Sequence, residues 1–143
     1  MNVAEIMQTS LVTSSPDATV VEVAQLLTRR RVGACLVMEH GRLAGIFTER
    51  DLLRLVASGE DVRERTLADA MTPDVTMAHP DSDLLWAADT MRRLGVRHLP
   101  VGEDRCVVGI VSIRDLFAAA EAVLRLDPRG ADAARDVLLA AGA

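Results

Sequence analysis

Apolar positions along this chain change period in a fixed order. Val20, Val23, Ala24 and Leu27 recur at i, i+3, i+4 and i+7, the spacing of one helix face. Thr19 and Glu22 have the form of a capping box at its start, and Arg29-Arg30-Arg31 places positive charge at its end, where the helix dipole favours it. The run Ala34 to Met38 then reads as a strand, Glu39-His40-Gly41-Arg42 as a turn, and Leu43 to Phe47 as a second strand, together a hairpin. A second helix is predicted from Thr48, with Leu52, Leu53 and Val56 as its apolar positions. The same series then returns. Leu84, Ala87, Ala88 and Met91 repeat the first helix, with Asp83 as its cap. His98 to Val101, the turn Gly102 to Arg105, and Cys106 to Val111 repeat the hairpin, and Ser112 opens a helix carrying Leu116, Phe117 and Ala120.

The two series are one repeat. Displaced by 64 positions, the chain matches itself without a gap: Met7 falls on Met71, Pro16-Asp17 on Pro80-Asp81, Gly45-Ile46 on Gly109-Ile110, and Arg50-Asp51-Leu52 on Arg114-Asp115-Leu116. Each copy, at about 3–53 and 67–117, opens on a short cap-like start (Val3 to Met7; Leu67 to Met71) and reads as helix–strand–strand–helix with a short leading strand, a β-α-β-β-α unit. The expected fold class is α/β (α+β). A unit of about 50 residues buries little surface alone, so the two repeats are expected to pack sheet to sheet around a pseudo-twofold axis. The expected divisions are 1–62 for the first repeat with its linker, 63–126 for the second, and 127–143 for a C-terminal tail. Ala57 to Arg65, charged and containing Ser58-Gly59, reads as a surface linker. Asp127-Pro128-Arg129-Gly130 breaks the chain, and the thin stripe Ala134, Val137, Leu138 and Ala141 beyond it fits either a short helix against the body or a partner, or a frayed end.

Composition narrows the function classes. Of 143 residues 50% are hydrophobic but only 2% aromatic, so the core must be aliphatic. The net charge is −5 and every basic side chain is an arginine. An acidic chain without a basic tail lacks what general nucleic-acid binding needs, although an arginine pocket for one phosphate remains open. Met1 to Ser10 lacks the pattern of a secretory leader, and no apolar stretch reaches the length of a membrane span, so a cytoplasmic protein is expected. Cys35 and Cys106 fall in apolar segments and are expected as buried free thiols. His40, His79 and His98 are too scattered for a metal site.

The candidate chemistry lies in Thr48-x-x-Asp51 and Ser112-x-x-Asp115, each placed where a strand ends and a helix begins. Unpaired N–H groups and the dipole make a helix start attractive to phosphate. A cap hydroxyl adds a hydrogen bond, a carboxylate one turn on accepts from ribose hydroxyls, and Arg50 and Arg114 add positive charge. The same spacing is also that of a capping box. In a box the aspartate turns back to the cap N–H; in a nucleotide site it points outward.

Gly45-Ile46-Phe47-Thr48-Glu49-Arg50-Asp51-Leu52, Gly109-Ile110-Val111-Ser112-Ile113-Arg114-Asp115-Leu116 and Arg97-His98-Leu99-Pro100-Val101 resemble the CBS domain, which occurs as tandem pairs called Bateman modules. The resemblance extends over nearly all but the last 20 or so residues and is to the stand-alone bacterial type. It implies binding of an adenosine-containing ligand (AMP, ADP, ATP, S-adenosylmethionine, sometimes NAD), with no cofactor required, and regulation of a separate partner protein. It also implies a homodimer and clefts shared by the two copies. Thr48, Arg50 and Asp51 would then face Thr76, Arg97 and His98, while Ser112, Arg114 and Asp115 would face Val12, Gly33 and Ala34. Arg97 and His98 would contact phosphate in the first cleft, making it the better site for a charged nucleotide, and the second would be plainer. The alternative for Arg97 and His98 is a solvated strand edge or an ion pair.

No Ser/His/Asp or Cys/His set can be assembled, and there is no phosphate-loop lysine, so no enzyme is expected. The competing reading is a protein–protein interaction or dimerisation module with vestigial clefts.

Overall fold

The computed structural model describes residues 1–142, so Ala143 of the expected tail lies outside the described residues. The chain divides into two compact units. The first is Ser10–Val75; the second joins Met1–Thr9 to the residues from Thr76 onward.

In the first unit, β1 (Thr13–Ser14), α1 (Val20–Arg30), β2 (Ala34–Glu39), β3 (Arg42–Thr48), α2 (Glu49–Ala57) and α3 (Leu67–Ala70) follow in order. Thr19 and Glu22 form the expected capping box, and α1 ends on Arg31 in the left-handed conformation. β2 lies between a parallel β1 and an antiparallel β3. The two residues linking β2 and β3, His40 and Gly41, both have positive φ (52° and 74°), as a tight hairpin turn that follows the strand twist requires. Val20, Val23 and Leu27 from α1 meet Cys35, Val37 and Phe47 from the sheet, so the face predicted by periodicity is the buried one.

The second unit repeats this plan with α4 (Leu84–Leu94), β4 (His98–Glu103), β5 (Cys106–Ser112) and α5 (Ile113–Leu126), and adds α6 (Ala131–Gly142). β4 and β5 pair antiparallel, with an irregularity after Val101 at the position of the one after Val37. Ala78 makes a parallel bridge to Val101 where the first unit has β1. The tail question is settled for the described residues: Ala134 and Val137 of α6 are buried in the core formed by Ala87, Ala88, Leu116 and Ala120.

The leading segments do not stay with the copies they precede. α3 and Thr72, the lead of the second copy, belong to the first unit. There the Leu67 N–H donates to the Ala18 carbonyl at 2.9 Å, and Ile46 and Thr72 exchange bonds of 3.0 and 2.9 Å. The lead of the first copy belongs to the second unit, with the Val3 N–H on the Ser82 carbonyl at 2.8 Å and Gln8 and Ile110 exchanging bonds of 2.8 and 2.9 Å. This explains the repeated Gly-Ile pair. A Cβ on Gly45 would meet Met71 Sδ at 2.6 Å, and one on Gly109 would collide with Met7 Sδ. Only glycine lets the leading segment lie this close to the strand.

Two sequence expectations need correction. The linker is not all surface, because Val62 packs on the first core and the Arg65 carbonyl accepts the Val20 N–H at 3.0 Å. Cys35 is buried as expected, but Cys106 is exposed. As the first residue of β5, Cys106 sits opposite Glu103 at the turn end of the hairpin, where apolar sequence context does not translate into cover.

Candidate functional site

Both Ser/Thr-x-x-Asp motifs sit at the junction of a strand and a helix, as predicted. In the first unit the Thr48 N–H donates to Asp51 Oδ2 at 2.8 Å and the Thr48 hydroxyl to the same oxygen at 3.2 Å. In the second, the Ser112 N–H and hydroxyl donate to Asp115 Oδ2 at 2.7 and 2.9 Å. The Asp115 N–H returns a bond to Ser112 Oγ at 3.3 Å. Each aspartate thus turns back on its own helix start and closes a capping box, the arrangement the spacing alone favours.

The second carboxylate oxygen has a different use. Asp51 Oδ1 accepts from the Thr72 hydroxyl at 3.4 Å, and Asp115 Oδ1 accepts from Gln8 Nε2 at 3.1 Å. Thr72 and Gln8 are the functional candidates that the sequence reading missed. The signal was present: they occupy equivalent positions in the repeat, each directly after the methionine that marks the leading segment. An ionised carboxylate has about four acceptor sites. Three bonds to Asp51 leave capacity for about one more donor.

The hairpin registers decide which residues adjoin each motif within its unit. Ala34 pairs with Thr48, and the Glu49 N–H donates to the Gly33 carbonyl at 3.1 Å. His98 pairs with Ser112, and the Ile113 N–H donates to the Arg97 carbonyl at 2.9 Å. Directly opposed strand residues carry side chains on one face, about 5 Å apart. His98 is therefore a neighbour of Ser112 and Ala34 of Thr48, while Arg97 and Gly33 meet the two helix starts through their backbone carbonyls.

The surroundings of the two motifs differ in charge. A Cβ on Gly33 would touch the Glu49 carboxylate at 3.0 Å, so an acid lies against that backbone. The equivalents in the second unit are Arg97 and the uncharged Ile113. Arg50 and Arg114 are exposed on the first turns of α2 and α5. Thr76 is an exposed residue of the second unit, and Val12 is buried in the first, where its carbonyl accepts the Leu36 N–H at 2.9 Å.

No metal-binding group of acids, histidines and cysteines is found among the described residues. His79 lies on the surface 3.7 Å from both Asp81 and Glu103, and its Nδ1 accepts the Asp81 N–H at 3.2 Å. Burial pushes the Cys35 thiol up to about 11, which keeps it protonated and poorly nucleophilic. No helix among the described residues is long and apolar enough to cross a membrane.

Comparison with known proteins agrees with the repeat. A family model for the CBS domain matches twice, at residues 3–58 and 67–122. The chain is 34% identical over 116 residues to the CBS domain-containing protein YhcV of Bacillus subtilis, a match spanning 80% of this chain and 82% of that one. It is 35% identical over 109 residues to the mitochondrial protein CBSX3 of Arabidopsis thaliana, spanning 72% of this chain and about half (53%) of that protein. Among solved structures it resembles the CBS domain pair of protein MJ0100 in complex with 5′-methylthioadenosine and S-adenosyl-L-methionine. There the TM-score is 0.78 and the identity 27%, over 85% of this chain and 97% of that one. It also resembles the CBS domain protein PAE2072 of Pyrobaculum aerophilum complexed with AMP, with TM-score 0.77 and identity 28%, over 88% of this chain and 98% of that one.

Proposed function

The chain belongs to the CBS domain family as a tandem pair, and from that premise we propose that it is a regulatory module that binds an adenosine-containing ligand and modulates a separate protein. The observation that carries the proposal is the presence of AMP, and of S-adenosylmethionine with its thioether relative, in two pairs of this fold. In this chain the ligand class is AMP, ADP or ATP, with S-adenosylmethionine as the less anionic variant. The Asp51 and Asp115 carboxylates accept ribose hydroxyls with their remaining acceptor capacity. Arg97 and His98 supply phosphate contacts. The module carries out no chemistry of its own, and homodimerisation in the cytoplasm is part of the same proposal.

Isothermal titration of the whole chain with AMP, ATP and S-adenosylmethionine tests this, repeated on Asp51→Ala and Asp115→Ala. Saturable binding of one of them, weakened about tenfold or more by at least one substitution, is the expected result. No binding at millimolar concentrations of all three overturns it. A second reading, an interaction module without a ligand, is favoured by one observation: both aspartates already close capping boxes. Thermal-shift measurement separates the two readings, because only a ligand that binds the folded state raises the melting temperature in proportion to its saturation.

A further inference from the structure

The two units carry opposite charge at one equivalent place. In each, the residue that precedes the hairpin meets the first residue of the helix that follows it. The Glu49 N–H donates to the Gly33 carbonyl at 3.1 Å, and the Ile113 N–H to the Arg97 carbonyl at 2.9 Å. In the second unit the side chains here are Arg97, exposed, and Ile113, half-buried. In the first, the strand-side residue is a glycine, and the Glu49 side chain lies over it. A Cβ on Gly33 would stand 3.0 Å from Glu49 Oε1 and 3.2 Å from its Cδ. The space from which the Arg97 side chain starts is thus taken, in the first unit, by a carboxylate.

The acid is not needed to start its helix. A carboxylate in a first turn is favoured by the dipole, but Asp51 already closes the cap of α2, and α5 starts on Ile113 with the same kind of cap. Glu49 is exposed, and the side-chain ion pairs found among the described residues do not include it. Its charge is therefore free to act on whatever approaches Gly33.

We propose that Glu49 selects ligands by charge. The inference rests on the reading that the module binds adenosine-containing ligands. There the aspartates take the ribose, so the 5′ group bonded to it lies at the helix starts, where Glu49 and Arg97 stand. The place held by Glu49 rejects a 5′-phosphate and admits an adenosine whose 5′ substituent is neutral or cationic, a thioether or a sulfonium. The place held by Arg97 favours the phosphate. Such a repulsive element separates ligands that share every other group. The chain thereby keeps one place for each charge class, and nucleotides and sulfur-bearing adenosines do not compete for both.

Three ligands that share the adenosine and differ in charge test this: AMP, 5′-methylthioadenosine and S-adenosylmethionine, titrated calorimetrically into the whole chain. The parent is expected to bind AMP in one tight and one weak step, and to bind the thioether when AMP fills the tight one. Glu49→Gln is expected to tighten the weak AMP step about fivefold relative to the thioether, and to weaken S-adenosylmethionine about twofold relative to it, both effects shrinking in high salt. Arg97→Gln is expected to weaken the tight AMP step about fivefold relative to the thioether. Gly33→Arg combined with Glu49→Ile gives the first unit the second unit's residues and is expected to make both AMP steps tight. If Glu49→Gln changes all three ligands by one factor, or leaves AMP unchanged, the proposal is overturned while adenosine binding stands. If the parent binds none of the three, the adenosine reading itself fails, and the selection with it.

Discussion

The two units are built from one sequence pattern and reach different states. Both have the hairpin, the bulge after its second apolar pair, the glycine under the leading methionine and the capped second helix. In the second unit Val137 and Ala134 of α6 finish the apolar layer; in the first that layer ends in a groove. The strand and helix-start positions are held alike by backbone geometry, because hairpin register and caps tolerate little variation. The outer helix faces are held only by whatever covers them, and there the copies have diverged. Helix starts and helix faces thus stand under separate physical constraints.

The sharpest way to break the comparison is to place the same charge at both faces. Val137→Asp buries a carboxylate without a partner against Ala88 and Ala120 and is expected to cost about 3 kcal/mol or more. Val56→Asp, already mostly in water, is expected to change stability by less than about 0.5 kcal/mol. Trp86, the only tryptophan, lies on α4 in the second unit, so urea unfolding followed by its fluorescence reports the damaged unit directly. Equal losses in the two variants would mean that α6 is not a working part of the second core.

A smaller effect tests the helix starts. Asp51→Ala and Asp115→Ala each remove a capping-box acceptor and are expected to cost about 1 kcal/mol without ligand. Adjoining residues separate cap from tether: Gln8→Ala removes only the bond to Asp115 Oδ1, and Thr72→Val only the one to Asp51 Oδ1. Each is expected to cost less than its aspartate variant. A Gln8→Ala loss as large as that of Asp115→Ala would show the tether, not the box, to be the main role of the carboxylate.

How much of this could be read in the sequence follows from which interactions are local. Thr19 with Glu22 and Ser112 with Asp115 satisfy each other within one turn, so spacing alone revealed them. The faces of α1 and α4 were readable because period 3.6 is a property of the helix itself. What stayed hidden depends on contacts far along the chain. The bond from Gln8 to Asp115 joins residues 107 positions apart. No periodicity marks it, and only the coincidence of Gln8 with Thr72 in the repeat could have suggested it. The grouping of Arg97 and His98 with Thr48 and Asp51 came from the family's architecture, a relation between copies that no local pattern in the sequence carries, whereas the pairing of His98 with Ser112 follows from hairpin register within one unit. Cys106 misled because its apolar neighbours lie near the exposed end of a hairpin, where burial stops abruptly.

The smallest effect asks whether a single side chain separates the two helix faces electrostatically. The bond from Arg92, with charge from Arg92 and Arg93, holds the Asp89 carboxyl below its ordinary value of 3.8. A depressed carboxylate adds stability that is fully present above its unfolded pKa and is lost as pH falls through the folded one. The second unit therefore has an acid-sensitive increment below about pH 4, and Asp89→Gln is expected to abolish it and flatten that part of the stability–pH curve. In the first unit Gln25→Glu makes the reverse change by setting a carboxylate four residues before Arg29. An exposed pair of that spacing adds about 0.3–0.5 kcal/mol at neutral pH, and the gain should fade in high salt. If Gln25→Glu leaves stability unchanged even at low salt, the ion pairs of α4 add nothing that α1 lacks, and the two helix faces differ in their cover alone.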